Sequence, residues 1–435
     1  MEEAKVVPEN DGRAVQHIRT SVVVAGGGPA GLILGLLLAR SGIDVTVVEK
    51  HGDFLRDFRG DTIHPSTLEL MEQLGFAEEF LSLPHTRAPR LNAVIGGERI
   101  TIADFSRLPV HHRFIAFMPQ WDFLNFIVGK AGQYENFRLL MNAPVTGLIE
   151  RDGRVGGLMV NTPEGAIEIA ADLVVGADGR NSIVREAARL EVQRFGIPTE
   201  VLWMRLSKQP GDPADTMGHA GSRQGFVMIN RGDYWQCGYV VRKGFFADMK
   251  IEGLEAFRNR VAEICPFPRE RLDEITSWDD VHLLTVRIDR LKRWWKPGLI
   301  CIGDAAHAMS PVGGVGINLA IQDAVAAANV LVPVFTSGRA IADDDLAAIE
   351  KRRSFPTKAT QFLQRMMRVG RKKEQTETAE KPKGPPAIVR AIMRFPLFAH
   401  LTGPAGGVGL SSGKDRDGVT RLKPRSRFPW HISAR

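Results

Sequence analysis

Residues 20–31 read Thr-Ser-Val-Val-Val-Ala-Gly-Gly-Gly-Pro-Ala-Gly. The β-branched run at 20–25 predicts a short buried strand. Gly26, Gly28 and Gly31 follow in the spacing Gly-x-Gly-x-x-Gly, with Ala30 before the third glycine. Such a turn bends tightly, lets backbone approach a pyrophosphate and packs helix closely on strand. Leu32–Arg40 predicts an apolar helix with Ser41-Gly42 as its C-cap, and Ile43–Val48 a second strand ending at Glu49. The whole is a βαβ unit of the length the dinucleotide fingerprint requires. Phosphates would sit at the helix N-terminus, where free N–H groups and the dipole favour anions. Glu49, 18 residues past Gly31, is placed to accept hydrogen bonds from both hydroxyls of an adenosine ribose. The same carboxylate would repel a 2′-phosphate, which argues against NADP in this site. On this motif alone FAD and NAD stand level.

Two later stretches separate them. Residues 174–185 read Val-Val-Gly-Ala-Asp-Gly-Arg-Asn-Ser-Ile-Val-Arg. Here Asp178 ends a strand, Gly179 allows a turn and Ser182 can cap a following helix. Residues 301–320 read Cys-Ile-Gly-Asp-Ala-Ala-His-Ala-Met-Ser-Pro-Val-Gly-Gly-Val-Gly-Ile-Asn-Leu-Ala. After Gly303, Asp304 ends a buried strand, where a carboxylate can bind a sugar-alcohol hydroxyl. Gly313, Gly314 and Gly316 lead into a helix whose positive end would stabilise negative charge on a reduced flavin ring.

The three motifs, in this order and spacing, resemble those of the class A FAD-dependent monooxygenases, the family of para-hydroxybenzoate hydroxylase and the ubiquinone-ring hydroxylases. The resemblance covers roughly residues 20–345. It implies non-covalent FAD, with the first motif on the adenosine, the Asp-Gly motif serving FAD and NAD(P)H, and the Gly-Asp motif on the ribitol. It further implies that Arg59 lies near the FAD phosphates, that Gln120 faces the cofactor, and that the backbone of Ile317 and Asn318 meets the isoalloxazine. Arg56 competes with Arg59; a surface salt bridge and a helix cap are the plain alternatives for Arg59 and Gln120. Pro311 matches a proline on the flavin's substrate side. The implied reaction uses NADPH or NADH and O2 to hydroxylate an aromatic or similarly activated small molecule through a flavin C4a-hydroperoxide. The cofactor carries the chemistry, so no protein nucleophile is required. His307 is the nearest titratable group in the motifs, although a structural role suits it better; His64, His111, His112 and Tyr239 are further candidates for a base.

The implied fold is α/β (α+β overall): a Rossmann-type FAD-binding domain, an inserted, mostly antiparallel β-sheet substrate domain, and a C-terminal helical appendage. Residues 1–18 read as a disordered leader. Residues 19–89, 119–195 and 284–345 read as a discontinuous FAD-binding domain, 90–118 and 196–283 as the substrate domain, and 346–435 as a helical, basic tail. Trp203, Met204, Phe226, Met228, Trp235 and Tyr239 lie in strand-like runs and are candidates to line an apolar pocket, with plain core packing as the alternative. A charged amphipathic helix over 346–370, kinked or broken at Pro356, a linker over 371–386 and an apolar, Arg-bearing stretch at 387–401 follow.

The chain has 435 residues and a net charge of +7. From Lys351 onward 20 Lys and Arg face 5 Asp and Glu, so the charge belongs to the tail. A nucleic-acid partner is not expected; peripheral contact of the tail with a membrane is an open possibility, as is a monomer or homodimer. Cys237, Cys265 and Cys301 fit neither a disulfide framework nor a metal site and suit the cytoplasm. No membrane-spanning run is expected. Two further readings stay open: an FAD-dependent reductase or dehydrogenase without oxygen insertion, and a non-catalytic FAD-binding protein. The halogenase pattern Trp-x-Trp-x-Ile-Pro is absent, since Trp294-Trp295 runs into Lys296-Pro297.

Overall fold

The structure, a computed structural model, describes residues 16–55, 62–196, 199–213, 215–221, 224–373, 410–414 and 420–424. Strand β1 (Gln16–Ala25) starts earlier than its β-branched core, so residues 16–18 belong to a sheet rather than to a leader. Helix α1 (Pro29–Arg40) and strand β2 (Val45–Val48) complete the βαβ unit. The sheet runs Trp295–Lys296, Leu299–Cys301, Gly165–Gly176, β1, β2, Phe137–Leu140. Its centre is parallel: Ala25 stands level with Val48 and with Gly176, and Gly176 with Cys301. Every residue from Ala30 to Ala39 in α1 is buried, which explains a helix that is apolar all round rather than striped.

The strand that leads to Asp178 is Gly165–Gly176, and the helix that Ser182 caps is one short turn, Ile183–Ala187. Asp152-Gly153 turns a hairpin between Val145–Arg151 and Arg154–Thr162, both residues having positive φ. Gly316–Thr336 forms one long helix. The stretch Val312–Thr336 is long and apolar enough to cross a membrane, but 67% of its most apolar window is buried inside the fold. It is the central core helix, packed on α1.

The last long helix, Asp343–Lys373, runs through Pro356 without a break. Pro356 removes one backbone hydrogen bond, but buried Arg353, Thr357, Thr360, Gln361 and Gln364 line one face and hold the helix to the domain. Its first part, with Leu346 and Ile349 in the same core cluster as α1, packs on the helices of the parallel sheet and does not stand off as a tail. The expected linker at 371–386 and the apolar stretch at 387–401 lie almost wholly outside the described residues.

A second sheet has seven strands in the order His282–Thr285, Thr199–Ser207, Tyr234–Arg242, Gly225–Asn230, Met217–Ala220, Arg90–Ile95, Glu98–Asp104. All neighbours are antiparallel except Met217–Ala220 with Arg90–Ile95. One face carries Leu202, Met204, Phe226, Met228, Trp235 and Tyr239, in one cluster with Phe246, Met249, Phe257 and Val261 of helices Phe245–Glu252 and Leu254–Ala262. The other carries Val201, Trp203 and Ile229, packed on Phe105, Leu108, Val110, Ile115 and Phe117.

A charged knot centred on Asp323 lies in the core. Arg353 Nε donates to Asp323 Oδ1 at 2.6 Å, His307 Nε2 bonds Asp323 Oδ2 at 2.6 Å, and Gly303 N–H donates to the same oxygen at 3.0 Å. Burial alone would raise the Asp323 carboxyl, but His307 and Arg353 outweigh it and hold it below its usual range. A carboxylate held low adds stability above its free value, near pH 3.8, and loses it as pH falls through the lower folded value. Removing one partner of such a pair costs about 3–5 kcal/mol. Arg353→Met should therefore lower the thermal midpoint by at least ~5 °C at neutral pH, read by circular dichroism; an unchanged midpoint would show that the knot does not stabilise the fold.

Candidate cofactor site

The parallel register brings Gly26, Glu49, Asp178 and Asp304 to the carboxyl edge of one sheet, where open α/β sheets bind ligands. The glycines of the first turn do different work. Gly26 has φ +107°, and a Cβ there would lie 2.4 Å from the Ala177 carbonyl oxygen. A Cβ on Gly31 would lie 2.0 Å from the Gly26 carbonyl oxygen. These two are demanded by the fold itself. Gly28 caps α1, and a Cβ there would meet nothing within 4 Å. The space in front of the helix N-terminus is left open, as a bound phosphate needs. Ala30 is buried on the first turn of α1. Glu49 is fixed by the same turn: Gly27 N–H donates to Oε2 at 2.9 Å and His51 N–H to Oε1 at 3.1 Å.

Asp178 accepts from Val184 N–H at 3.1 Å through Oδ2, while Oδ1 is buried without a hydrogen-bond partner. Burial raises its carboxyl against the opposing bonds from Ser182 and backbone amides. Gly179 takes φ +83°, and Ser182 Oγ accepts from Arg185 N–H at 3.0 Å as the predicted cap. Asp304 accepts from Arg180 Nε at 3.0 Å, with both side chains partly exposed. Arg180 was not foreseen, because nothing in the spacing pairs it with a residue 124 positions away. Gly303 sits where α1 meets the long helix: a Cβ would lie 3.2 Å from the Cβ atoms of both Ala30 and Ala320.

Between Asp304 and the long helix runs the loop that holds Pro311, which is partly buried. Gly314 has φ +60°, and a Cβ there would lie 2.0 Å from Thr62 Oγ1. Thr62 Oγ1 donates to the Gly314 carbonyl at 2.9 Å, and His64 Nε2 bonds the Gly313 carbonyl at 3.1 Å. The helix begins at Gly316, followed by buried Ile317 and Asn318. The Asn318 amide accepts from His64 N–H at 2.9 Å and Thr67 Oγ1 at 2.8 Å, and donates to the carbonyls of Thr62 and Gly314 at 2.9 and 3.1 Å. Its side chain is a staple between two segments; only its backbone is left to face a ligand.

The candidate bases separate clearly. His307 is 1% exposed, bonded to Asp323 and packed on the Trp294 ring at 4.9 Å. That is a structural post. His111 and His112 bond Glu69 and Glu72, tying their segment to helix Pro65–Leu74. Tyr239 lies on the helix-covered face of the second sheet, its hydroxyl pushed up to about 12 by burial. His64 is buried between the Gly313 loop and Phe105, whose ring lies 6.1 Å away; burial lowers it to about 4, so it is neutral at neutral pH. Gln120 opens helix Gln120–Ala131 and is partly buried. Arg56 and Arg59 lie outside the described residues. Of the six proposed pocket residues only Trp203 is on the sheet face turned toward Phe105; the other five pack under the helices. Strand alternation put them on opposite faces, and the sequence alone does not say which face is covered.

An open phosphate cradle, an anchored carboxylate beside it, a buried orphan oxygen on Asp178 and a partly exposed Asp304 fit a dinucleotide that ends in a sugar alcohol. Residues 19–363 match the FAD binding domain family. The chain is 33% identical over 314 residues to 6-methylpretetramide 4-monooxygenase of Streptomyces rimosus, covering 72% of this chain and 75% of that one. It is 26% identical over 324 residues to 12-dehydrotetracycline 5-monooxygenase/anhydrotetracycline 6-monooxygenase, also of Streptomyces rimosus, covering 71% of this chain and 61% of that protein's length. The crystal structure of PqsL, a probable FAD-dependent monooxygenase from Pseudomonas aeruginosa, superimposes with a TM-score of 0.69 at 21% identity, over 82% of this chain and 98% of that one, and so shares its fold. The chain belongs to the FAD-binding-domain family, as a flavin-dependent monooxygenase whose cofactor is FAD.

Proposed function

We propose that the enzyme hydroxylates a broad, planar aromatic substrate, with NADPH or NADH as reductant and O2 as oxygen donor. The observation that carries the substrate class is the face of the second sheet turned away from helices Phe245–Glu252 and Leu254–Ala262. Along one row, Trp203 stands beside Gly238, then Val227, Gly218 and Ala93; the next row is Val201, Val240, Gly225, Ala220 and Ile95. Small residues make this face low and flat, and a Cβ on Gly238 would lie 2.9 Å from the Trp203 ring. The same face packs on Phe105, which touches His64, which bonds the Gly313 loop. That chain of contacts supports a substrate layer between this sheet and the flavin. The seven-stranded sheet is then the substrate domain, and the parallel sheet with its helices the FAD-binding domain. The tetracycline-type names of the relatives favour a polycyclic substrate.

FAD supplies the redox chemistry and oxygen activation when bound. The protein contributes binding and exclusion of water. Glu49, Asp178, Asp304, Gly28, Gly179, Gly303, Gly316 and the backbone of Ile317 and Asn318 would hold the dinucleotide, with Gln120 and Arg59 beside it. Pro311 and Trp203 would bound the substrate space. His64, neutral and edge-on to Phe105, keeps the pocket wall uncharged. The setting is the cytoplasm, where the three buried cysteines stay reduced.

A second, separate reading concerns the outer face of helix Asp343–Lys373. Phe355 and Phe362 are 74% and 62% exposed, seven residues apart on one face, among exposed Arg352, Lys358 and Arg365. No Asp or Glu occurs from Lys351 to Lys373. An aromatic pair ringed by cations favours peripheral contact with an anionic membrane.

Holoenzyme mixed with NADPH or NADH and a panel of tetracyclic phenols should show substrate-stimulated flavin bleaching and oxygen uptake. Gly238→Leu should retain FAD but lose at least ~10-fold in kcat/KM on the widest substrates. Bleaching without oxygen uptake would replace hydroxylation by a reductase reading. Gly28→Val should fold with an unchanged thermal midpoint yet purify colourless, because the side chain fills only the cradle; a yellow variant would move the phosphates elsewhere. Sedimentation with vesicles rich in phosphatidylglycerol should fall on changing Phe355 and Phe362 to Ser, and equal binding by both proteins would remove the membrane reading.

A further inference from the structure

The loop between Asp304 and Gly316 is held from two sides, and only one side belongs to the motifs. On the far side, the last helix places two amide side chains against the loop's backbone. Gln364 Oε1 accepts from Ser310 N–H at 3.1 Å, and its Nε2 donates to the Ser310 carbonyl at 2.9 Å and the Val312 carbonyl at 3.1 Å. One turn earlier, Gln361 Nε2 donates to the carbonyls of Ala308 and Asp289 at 3.0 and 2.9 Å, while its Oε1 accepts from Arg290 at 3.2 Å. Both glutamines are 1% exposed. Three turns before Gln364, Arg353 holds Asp323, which accepts from Gly303 N–H and His307. One helix face thus grips the segment at both ends of the loop.

We propose that Gln361 and Gln364 are positioning residues that set where the Pro311 loop stands against the flavin. Gln364 pairs with Ser310 as a neighbouring strand would, through both backbone groups, and takes in Val312 as well. Pro311 lies between the two clamped residues and has no N–H with which to fix itself. Opposite, Thr62, His64 and Asn318 hold the Gly313 and Gly314 carbonyls. A loop rich in glycine would otherwise sample many conformations. With both clamps it has one. The proposal rests on FAD lying against this loop, which is the reading given above; its test separates the two.

Gln364→Met keeps the side-chain volume and removes all three hydrogen bonds. Gln361→Met does the same one turn away. In the holoenzyme, hydrogen exchange at the amides of 309–312 should quicken by at least ~10-fold in Gln364→Met, because Ser310 N–H loses its acceptor. The flavin absorption bands should change shape, and the fraction of reductant oxidised without product should rise, while kcat/KM for the nicotinamide cofactor falls less than 3-fold. Lys351→Ala, on the exposed side of the same helix, should move none of these readouts. Native exchange and native flavin bands in a folded Gln364→Met would overturn the proposal. So would loss of folding in both Met variants, since the glutamines would then support the domain and not the loop. Faster exchange with unaltered flavin bands would keep the clamp but place the flavin elsewhere, and so would strike the cofactor reading alone.

Discussion

Four strands run side by side and three of them stop level, at Ala25, Val48 and Gly176, with Cys301 in register beside the last. The geometry of the candidate cofactor site follows from that shared edge. Each strand hands the chain to a loop at the same height; the loop after β1 is the glycine turn, and the other three bring one acid each, Glu49, Asp178 and Asp304. They come from positions up to 255 residues apart, so no local pattern could assemble them. The sheet can align them only because its neighbours are parallel, and parallel strands need crossovers on both faces. That is why α1 is buried on every side and the long helix over most of its surface. The burial that makes Gly316–Thr336 resemble a membrane span is the same burial that fixes the cofactor edge.

The edge also sorts the glycines. Gly26 and Gly31 face backbone oxygens so closely that any side chain would displace the turn itself. Gly28 faces open space at a helix N-terminus. Two of the three motif glycines are therefore demanded by the fold, and the third leaves open space before the helix. A spacing motif cannot make that distinction, because it reports the glycine and not what the missing Cβ would meet.

Legibility in the sequence followed the same division. The βαβ unit and the Asp-Gly turn with its Ser182 cap were readable, because each depends on local periodicity and end signals. The side-chain duties of Asn318 and His64 were not, since their partners lie across the fold. Nor was the choice of sheet face. Trp203 and Met204 are adjacent in sequence and equally apolar, yet one packs toward Phe105 and the other into the helix-covered core. Alternation predicts that they diverge; only the position of helices 245–262 tells which is which.

What holds the last helix in place was hard to read for a related reason. Sequence reading finds a docked helix by its apolar stripe, and here only Leu346 and Ile349 supply one, while the following turns dock through Arg353, Thr357, Thr360, Gln361 and Gln364. The polar part of the interface leaves no hydrophobic period to detect. It also behaves differently from an apolar one. Each hydrogen bond formed adds only about 0.5–1.5 kcal/mol, but each buried group left without a partner costs about 1–3 kcal/mol. An apolar face tolerates a small slide along the helix axis. Here a slide of one residue would turn Gln361 and Gln364 away from Ala308, Ser310 and Val312 and would bury their backbone groups unpaired. The interface is thus weak as glue and strict as a ruler. Strictness is what a loop bearing on a flavin requires, and it explains why the chain sets charged and amide side chains where leucines would have held the helix more tightly.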